Sequence, residues 1–133
     1  MDAEINVIDL LMNVKPVNLP EKEFNILRLS EECGKDVVFT LRALPYARVS
    51  DIRNVSEDAQ AIHIILAGVV SPNLKDKALL ERFGAVTPAE LVPKMLLPGE
   101  IDDLALRIEQ LSGYKTVVLD EVKKNLNPAS TCE

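Results

Sequence analysis

The run from residue 57 to residue 70 constrains the fold most, because its side chains are apolar around nearly the whole helical circumference. Ser56 precedes it as a candidate N-cap, and acidic residues follow in the first turn, where they complement the helix dipole. A helix that is apolar on all sides is normally buried. The run therefore predicts a central helix, although the β-branched residues in 62–66 leave a strand open as the alternative. The apolar members are Ala59, Ile62, Ile64, Ile65, Leu66, Val69 and Val70.

Two segments before this run predict a small β-hairpin over about residues 22–43. In residues 36–43, Val37, Phe39 and Leu41 alternate with more polar neighbours, which is the period of a half-buried strand. The alternation in residues 22–29 is less regular. The two strands are expected to be joined across residues 30–35, where Gly34 breaks the chain.

The chain after the hairpin predicts four to five helices. Pro45 suits the first position of a helix, residues 74–83 carry an apolar stripe, and Thr87-Pro88-Ala89-Glu90 has the composition of a capping box. Residues 116–125 are expected to add a short final helix. The fold class is therefore predicted as α+β and mostly helical, with the hairpin followed by a helix cluster.

The most regular helical stripe follows Pro98 and Gly99. Its apolar residues recur at the spacing of one helix face, and Gly113 is the expected stop. The stripe consists of Ile101, Leu104, Ala105, Ile108 and Leu111.

The N-terminal segment predicts an arm that stands apart from the main body. Ile5, Ile8, Leu11 and Met12 lie at helical spacing, and Pro16 and Pro20 then favour an extended connection. We expect residues 1–13 to form an amphipathic helical arm, 14–21 a linker, 22–125 a single globular domain and 126–133 a disordered tail. The stripe on the arm can pack on its own domain, on a neighbouring subunit or on a client protein.

Composition narrows the class of partner. The 133 residues carry a net charge of −6, which argues against nucleic acid, because phosphate contacts require a basic surface. No segment approaches the roughly 20 apolar residues of a membrane span, and residues 1–13 lack the features of a signal peptide. Two distant cysteines, Cys33 and Cys132, favour a reducing cytoplasm.

No set of residues in the sequence nominates a catalytic, metal or cofactor site. His63 lies in the apolar run and is better explained as a core or boundary residue. Glu100, Asp102 and Asp103 fall in the first turn of a predicted helix, where the dipole explains them. Two scattered cysteines and one histidine do not give the ligand spacing of zinc, and no phosphate-binding loop is present. We expect no small-molecule substrate.

Several short motifs, in their order and spacing, resemble the XkdN-like family of phage tail assembly chaperones over about residues 20–125. The matching stretches are residues 39–44 (FTLRAL), 68–72 (GVVSP), 83–84 (FG) with 87–88 (TP), 96–101 (LLPGEI) and 111–114 (LSGY).

The resemblance implies a chaperone that binds the phage tape measure protein and keeps it soluble before tail tube subunits polymerise. It further implies a protein of the bacterial host cytoplasm that is absent from the mature virion and coats its client in many copies. Independently of the resemblance, the detached N-terminal arm predicts a homo-oligomer. The candidate partner or self-association surface comprises Ile5, Ile8, Leu11, Met12, Leu96, Leu97 and Ile101, each of which is also explicable as core.

Two other functions stay open at this point. One is a non-catalytic, phage-encoded adaptor or regulatory domain that binds one folded partner. Arg42, Arg48 and Arg53 form a candidate basic strip, which is explained by a solvated face or ion pairs, or alternatively by docking of an acidic partner. The other is a small enzyme that uses carboxylates such as Glu100 and Asp103, which the helix-start explanation disfavours.

Overall fold

The computed structural model describes residues 6–122, and over this range the chain has an α+β fold with seven helices and one three-stranded sheet. The predicted α+β class is confirmed, and five helices follow the second strand. In chain order the elements are α1 (Val7–Leu11), β1 (Glu21–Asn25), α2 (Leu27–Cys33), β2 (Val38–Arg42), α3 (Tyr46–Arg53), α4 (Glu57–Gly68), β3 (Val69–Ser71), α5 (Lys77–Arg82), α6 (Pro88–Met95) and α7 (Pro98–Leu111).

The sheet is antiparallel, and β2 is its central strand, in the order β1-β2-β3. Phe24 of β1 lies opposite Phe39 of β2, and Lys22 lies opposite Leu41. Phe39 and Leu41 are buried whereas Val38 and Arg42 are exposed, so the predicted alternation along β2 is confirmed.

The link between β1 and β2 differs from the prediction. The first strand ends at Asn25, and residues 27–33 form helix α2 instead of the rest of a strand and a turn. Gly34 ends α2 in the left-handed conformation (φ 71°), which glycine adopts at no steric cost. The alternation in residues 22–29 is weak because this range contains the end of a short strand and the start of a helix.

Helix α4 is the centre of the molecule, as the apolar run predicted. Ile64 and Ile65 are buried, and α4 packs mainly against α7. The strand alternative at residues 62–66 is wrong. The helix ends at Gly68, however, and the next three residues form β3, which pairs with β2.

The later helices follow the predicted pattern more closely. Four residues of the α7 stripe are buried, and Leu111 is half-buried. At the start of α6 the Thr87 Oγ1 accepts a hydrogen bond from the Glu90 N–H (3.2 Å), while the Glu90 carboxylate accepts from the N–H of Val86, not of Thr87 (2.9 Å). Helix α5 begins at Lys77, three residues later than predicted, because Asp76 caps it.

Both ends of the chain extend past the described range. No regular structure is present in residues 116–122, so the final helix predicted for 116–125 is wrong over those residues. Residues 123–125, the tail at 126–133 and Ile5 lie outside the described residues.

Candidate protein-binding surfaces

The N-terminal segment carries the largest set of exposed apolar side chains in one stretch. Asn6 caps α1 by accepting a hydrogen bond from the Ile8 N–H (2.9 Å), and the Asn13 amide donates to the Asp9 carbonyl (3.2 Å). The helix buries none of its residues. The exposed members of this segment, called the apolar arm below, are Val7, Ile8, Leu10, Leu11, Met12, Val14 and Val17.

Exposure of this kind is unusual for a helix whose composition is mostly apolar. Met12 is 79% exposed and Ile8 is 64% exposed, although both were expected to need a packing partner. Contiguous exposed apolar surface marks sites of protein or membrane contact. Of the residues predicted for this surface, the structure places Ile8, Leu11 and Met12 on the apolar arm.

The second predicted group separates into core and surface. Leu96 and Ile101 are buried in the same hydrophobic cluster, beneath the start of α7. Leu97 occupies the N-cap position of α7 and remains 53% exposed. From this group the structure therefore offers Leu97 alone to a partner.

Glu100 is held in a structural ion pair. Its two carboxylate oxygens accept hydrogen bonds from the Nε and Nη2 of Arg28 (both 2.9 Å), and Oε1 also accepts from the Leu97 N–H (2.8 Å). Arg28 donates further to the Met95 carbonyl (3.0 Å). This network joins α2 to the start of α7.

The same contacts fix the charge state of Glu100. The hydrogen bonds from Arg28 hold the pKa of the carboxyl below its ordinary value, the Leu97 N–H acts in the same direction, and partial burial opposes both. Asp102 is exposed, and Asp103 pairs with Arg107 at 3.4 Å. The three acidic residues therefore do not form one site. Glu100 accepts hydrogen bonds at the start of α7 and from Arg28.

The residues 111–114 contribute a second structural tie. Ser112 Oγ donates to the Ile108 carbonyl and accepts from the N–H of buried Leu44, both at 2.8 Å. The hydroxyl therefore connects the end of α7 to the chain just after β2. This contact joins residues 39–44 to residues 111–114, two of the stretches that carry the family resemblance.

A cleft of about 480 Å³ lies between α3, α4 and the turn after β3. Half-buried His63 lines it, together with Arg48, Asp51 and Lys75. Asn73 adds a further polar side chain, and the other lining residues are apolar. No sequence pattern predicted this cleft, since its polar residues come from separate helices and a turn.

The three arginines of the predicted basic strip have different neighbours. Arg42 approaches Glu21 at 4.0 Å, Arg48 lines the cleft with His63, and Arg53 lies 5.8 Å from the Tyr114 ring centre. Two of the three are thus engaged with an acid or an aromatic ring.

Sequence reasoning missed a second exposed apolar segment, at residues 116–122. Val117 is 89% exposed and Leu119 is 86% exposed, and Val118 and Val122 are exposed as well. The run Thr116-Val117-Val118-Leu119 is rich in β-branched residues and lacks a helix cap. That composition was the available signal for an extended segment.

The described range lacks two kinds of feature. Among residues 6–122, no three or more His, Cys, Asp or Glu side chains are grouped in a way that could hold a metal ion. Over the same range, no helix has the length and hydropathy needed to cross a bilayer.

The fold and its surfaces define a small α+β domain that exposes an apolar segment near each end of its described chain. The family model for the phage XkdN-like tail assembly chaperone protein matches residues 8–124. The chain therefore belongs to the XkdN-like family of phage tail assembly chaperones.

A solved structure supports the fold independently. The chain is similar to the protein yqbn, whose crystal structure superimposes with a TM-score of 0.65 at 19% sequence identity, covering 84% of this chain and 99% of that one. At this identity the likeness concerns the fold alone. No curated protein matches the chain at a significant level.

Proposed function

We propose that this protein is a non-catalytic phage or prophage tail assembly chaperone, which binds the tape measure protein and keeps it soluble until the tail tube polymerises. Family membership supplies the chaperone class. The single observation that carries the client-binding role is the apolar arm, which a folded domain presents to solvent without burying any residue of α1.

The physical argument starts from what such a client requires. A long helical protein that awaits its tube exposes apolar stripes, and these aggregate unless other apolar surface covers them. An amphipathic helix on a Pro-bounded connection can lie along such a stripe, contributing side chains at i, i+3 and i+4. The arm has this spacing at Ile8, Leu11 and Met12, and Leu97 is a further candidate contact.

Net charge supports the same role. A protein that covers a client in many copies must stay soluble at high concentration, and a net charge of −6 opposes aggregation. We place the protein in the bacterial host cytoplasm during assembly, and propose that it is released before the virion is complete.

The arm is tested by an exposed-residue double variant, Ile8→Ser with Met12→Ser. The matched control is Tyr46→Ser with Val86→Ser, since both residues are exposed apolar side chains elsewhere on the domain. Each protein is co-expressed with the tape measure protein of the same gene cluster, and the soluble fraction of the client is measured.

We expect the control to solubilise the client as the wild type does, and the arm variant to lose most of that activity while retaining its fold by circular dichroism. Equal activity of the arm variant and the control would remove the arm from the proposal. A wild-type protein that binds one folded partner at fixed stoichiometry, and not the tape measure protein, would favour the adaptor function instead.

A further inference from the structure

The cleft at His63 differs in charge from the molecule as a whole. The chain carries a net charge of −6, yet the cleft is lined by the cations Arg48 and Lys75 and by a single acid, Asp51. Within residues 6–122, neither Arg48 nor Lys75 takes part in an ion pair, although Arg48 and Asp51 lie on the same helix. No described acid therefore neutralises either cation, and each can pair with a carboxylate from outside the domain.

The inner part of the cleft is apolar. Ile52 and Leu74 line it and are buried in the core, and Val70, which also lines it, is 46% exposed. The exposed cations therefore surround an apolar interior. Its volume of about 480 Å³ is within the range of roughly 300–1,000 Å³ that is usual for ligand sites in proteins. Such a cleft can hold an apolar side chain while charged neighbours of that side chain stay at the surface.

Separate elements place the polar groups around the cleft. Arg48 lies on α3, half-buried His63 lies on α4, and Lys75 lies in the turn after β3. The Lys75 N–H donates a hydrogen bond to the Asn73 Oδ1 at 3.0 Å, so the turn is held while the Lys75 side chain is exposed. The imidazole of His63 can donate or accept a further hydrogen bond. The cleft thus has fixed walls on three sides.

We propose that this cleft is a second client-binding surface, which takes a short acidic segment of the tape measure protein. An apolar side chain of that segment enters the cleft, and its carboxylates pair with Arg48 and Lys75. The inference rests on the proposed function. Cations around an apolar interior complement acidic side chains that flank an apolar one. The apolar arm does not provide such a contact, because residues 6–14 include no Lys or Arg.

The test uses overlapping, fluorescently labelled peptides that cover the tape measure protein of the same gene cluster, and fluorescence anisotropy with the full chain. Arg48→Glu with Lys75→Glu reverses the charge of the cleft. Arg82→Glu with Lys35→Glu is the matched control, since both residues are exposed, neither lines the cleft, and the net charge changes by the same amount. Asp51→Asn removes the one acid of the cleft. Circular dichroism verifies the fold of each variant.

We expect acidic peptides with apolar residues to bind the wild type and the control equally, and the cleft variant about tenfold more weakly. Asp51→Asn should bind them more tightly than the wild type, because the acid that repels their carboxylates is gone. The same peptides with amides in place of carboxylates should bind more weakly. Added salt should also weaken binding, since it screens exposed charges.

Equal binding to the cleft variant and to the control would overturn the proposal, as would a preference for neutral or basic peptides. Tighter binding to the arm variant, Ile8→Ser with Met12→Ser, than to the wild type would identify the arm of the same chain as the occupant and would overturn it too. Should the cleft variant fail to fold, Asp51→Asn and the amide peptides still decide the question.

The proposed function is measured separately, by the solubility of the co-expressed client. A wild type that keeps the client soluble but binds no acidic peptide overturns the role of the cleft alone. A client that stays insoluble contradicts the proposed function and the role of the cleft that rests on it.

Discussion

Gly68 is the one described glycine at which an added β-carbon would clash with the core. A β-carbon at this position would lie 2.6 Å from Cδ1 and 2.7 Å from Cγ2 of Ile108, which is fully buried. Because Ile108 is buried in a close-packed core, its side chain would have to shift against its neighbours to make room. The missing side chain of Gly68 is what lets the end of α4 approach α7.

Gly68→Ala should therefore lower the free energy of unfolding by about 1–3 kcal/mol, the usual cost of overpacking a core. Gly99→Ala is the matched control, since a β-carbon there meets nothing within 4 Å. Urea unfolding followed by circular dichroism measures both. Equal stability of the two variants would show that α4 and α7 are not packed as described.

Ser112 offers a second test at the scale of one side chain. Ser112→Ala removes the acceptor of the buried Leu44 N–H, and leaving such a donor without a partner costs about 1–3 kcal/mol. Ser112→Thr keeps the hydroxyl and should retain most of the stability. The difference in the free energy of unfolding between the two variants, measured in urea, gives the contribution of this hydrogen bond. Equal free energies of unfolding would contradict it.

The ion pair of Glu100 with Arg28 predicts a pH dependence. A carboxyl whose pKa is lowered in the folded state adds stability above its ordinary pKa of ~4.3, and this stability is lost as the pH falls through the lowered value. Glu100→Gln should therefore be less stable than the wild type at neutral pH, and the gap should narrow below about pH 4. A gap that is constant from pH 7 to pH 3 would contradict the assigned role.

At the scale of elements, the helices differ in how many of their residues are buried. Helices α4 and α7 bury several residues each, whereas α1 buries none. Amide hydrogen exchange of the free protein should therefore be slowest in α4 and α7 and fastest over residues 7–17. Binding of the tape measure protein should slow exchange in the arm; unchanged exchange there in a formed complex would place the client elsewhere.

The elements that the sequence predicted well are those with a long, regular period. The stripe of α7 and the alternation of β2 each have one buried face, so the pattern and the structure agree. Helix α2 and strand β3 have seven and three residues, too few for a period to emerge, and tertiary pairing with β2 defines β3.

The surfaces were predictable only in part. The sequence shows that a residue is apolar, but it does not show whether another part of the chain covers that residue. Leu96, Leu97 and Ile101 are similar residues in one motif, yet only Leu97 stays exposed. The arm residues and Val117 are exposed because no element within residues 6–122 covers them. The cleft at His63 depends on three elements that meet only in the folded chain.

At the scale of the whole molecule, the described chain exposes two apolar segments on one domain. In the proposed function, the arm contacts the client. An extended client can bind several copies along its length, so that each copy needs only a modest affinity.

The most direct test is co-expression with the tape measure protein of the same gene cluster, followed by size exclusion with light scattering to obtain the mass of the complex. We predict a soluble complex that holds several copies of this chain per client, with the client insoluble when expressed alone. A client that remains insoluble while this chain elutes by itself would contradict the chaperone function proposed for this protein.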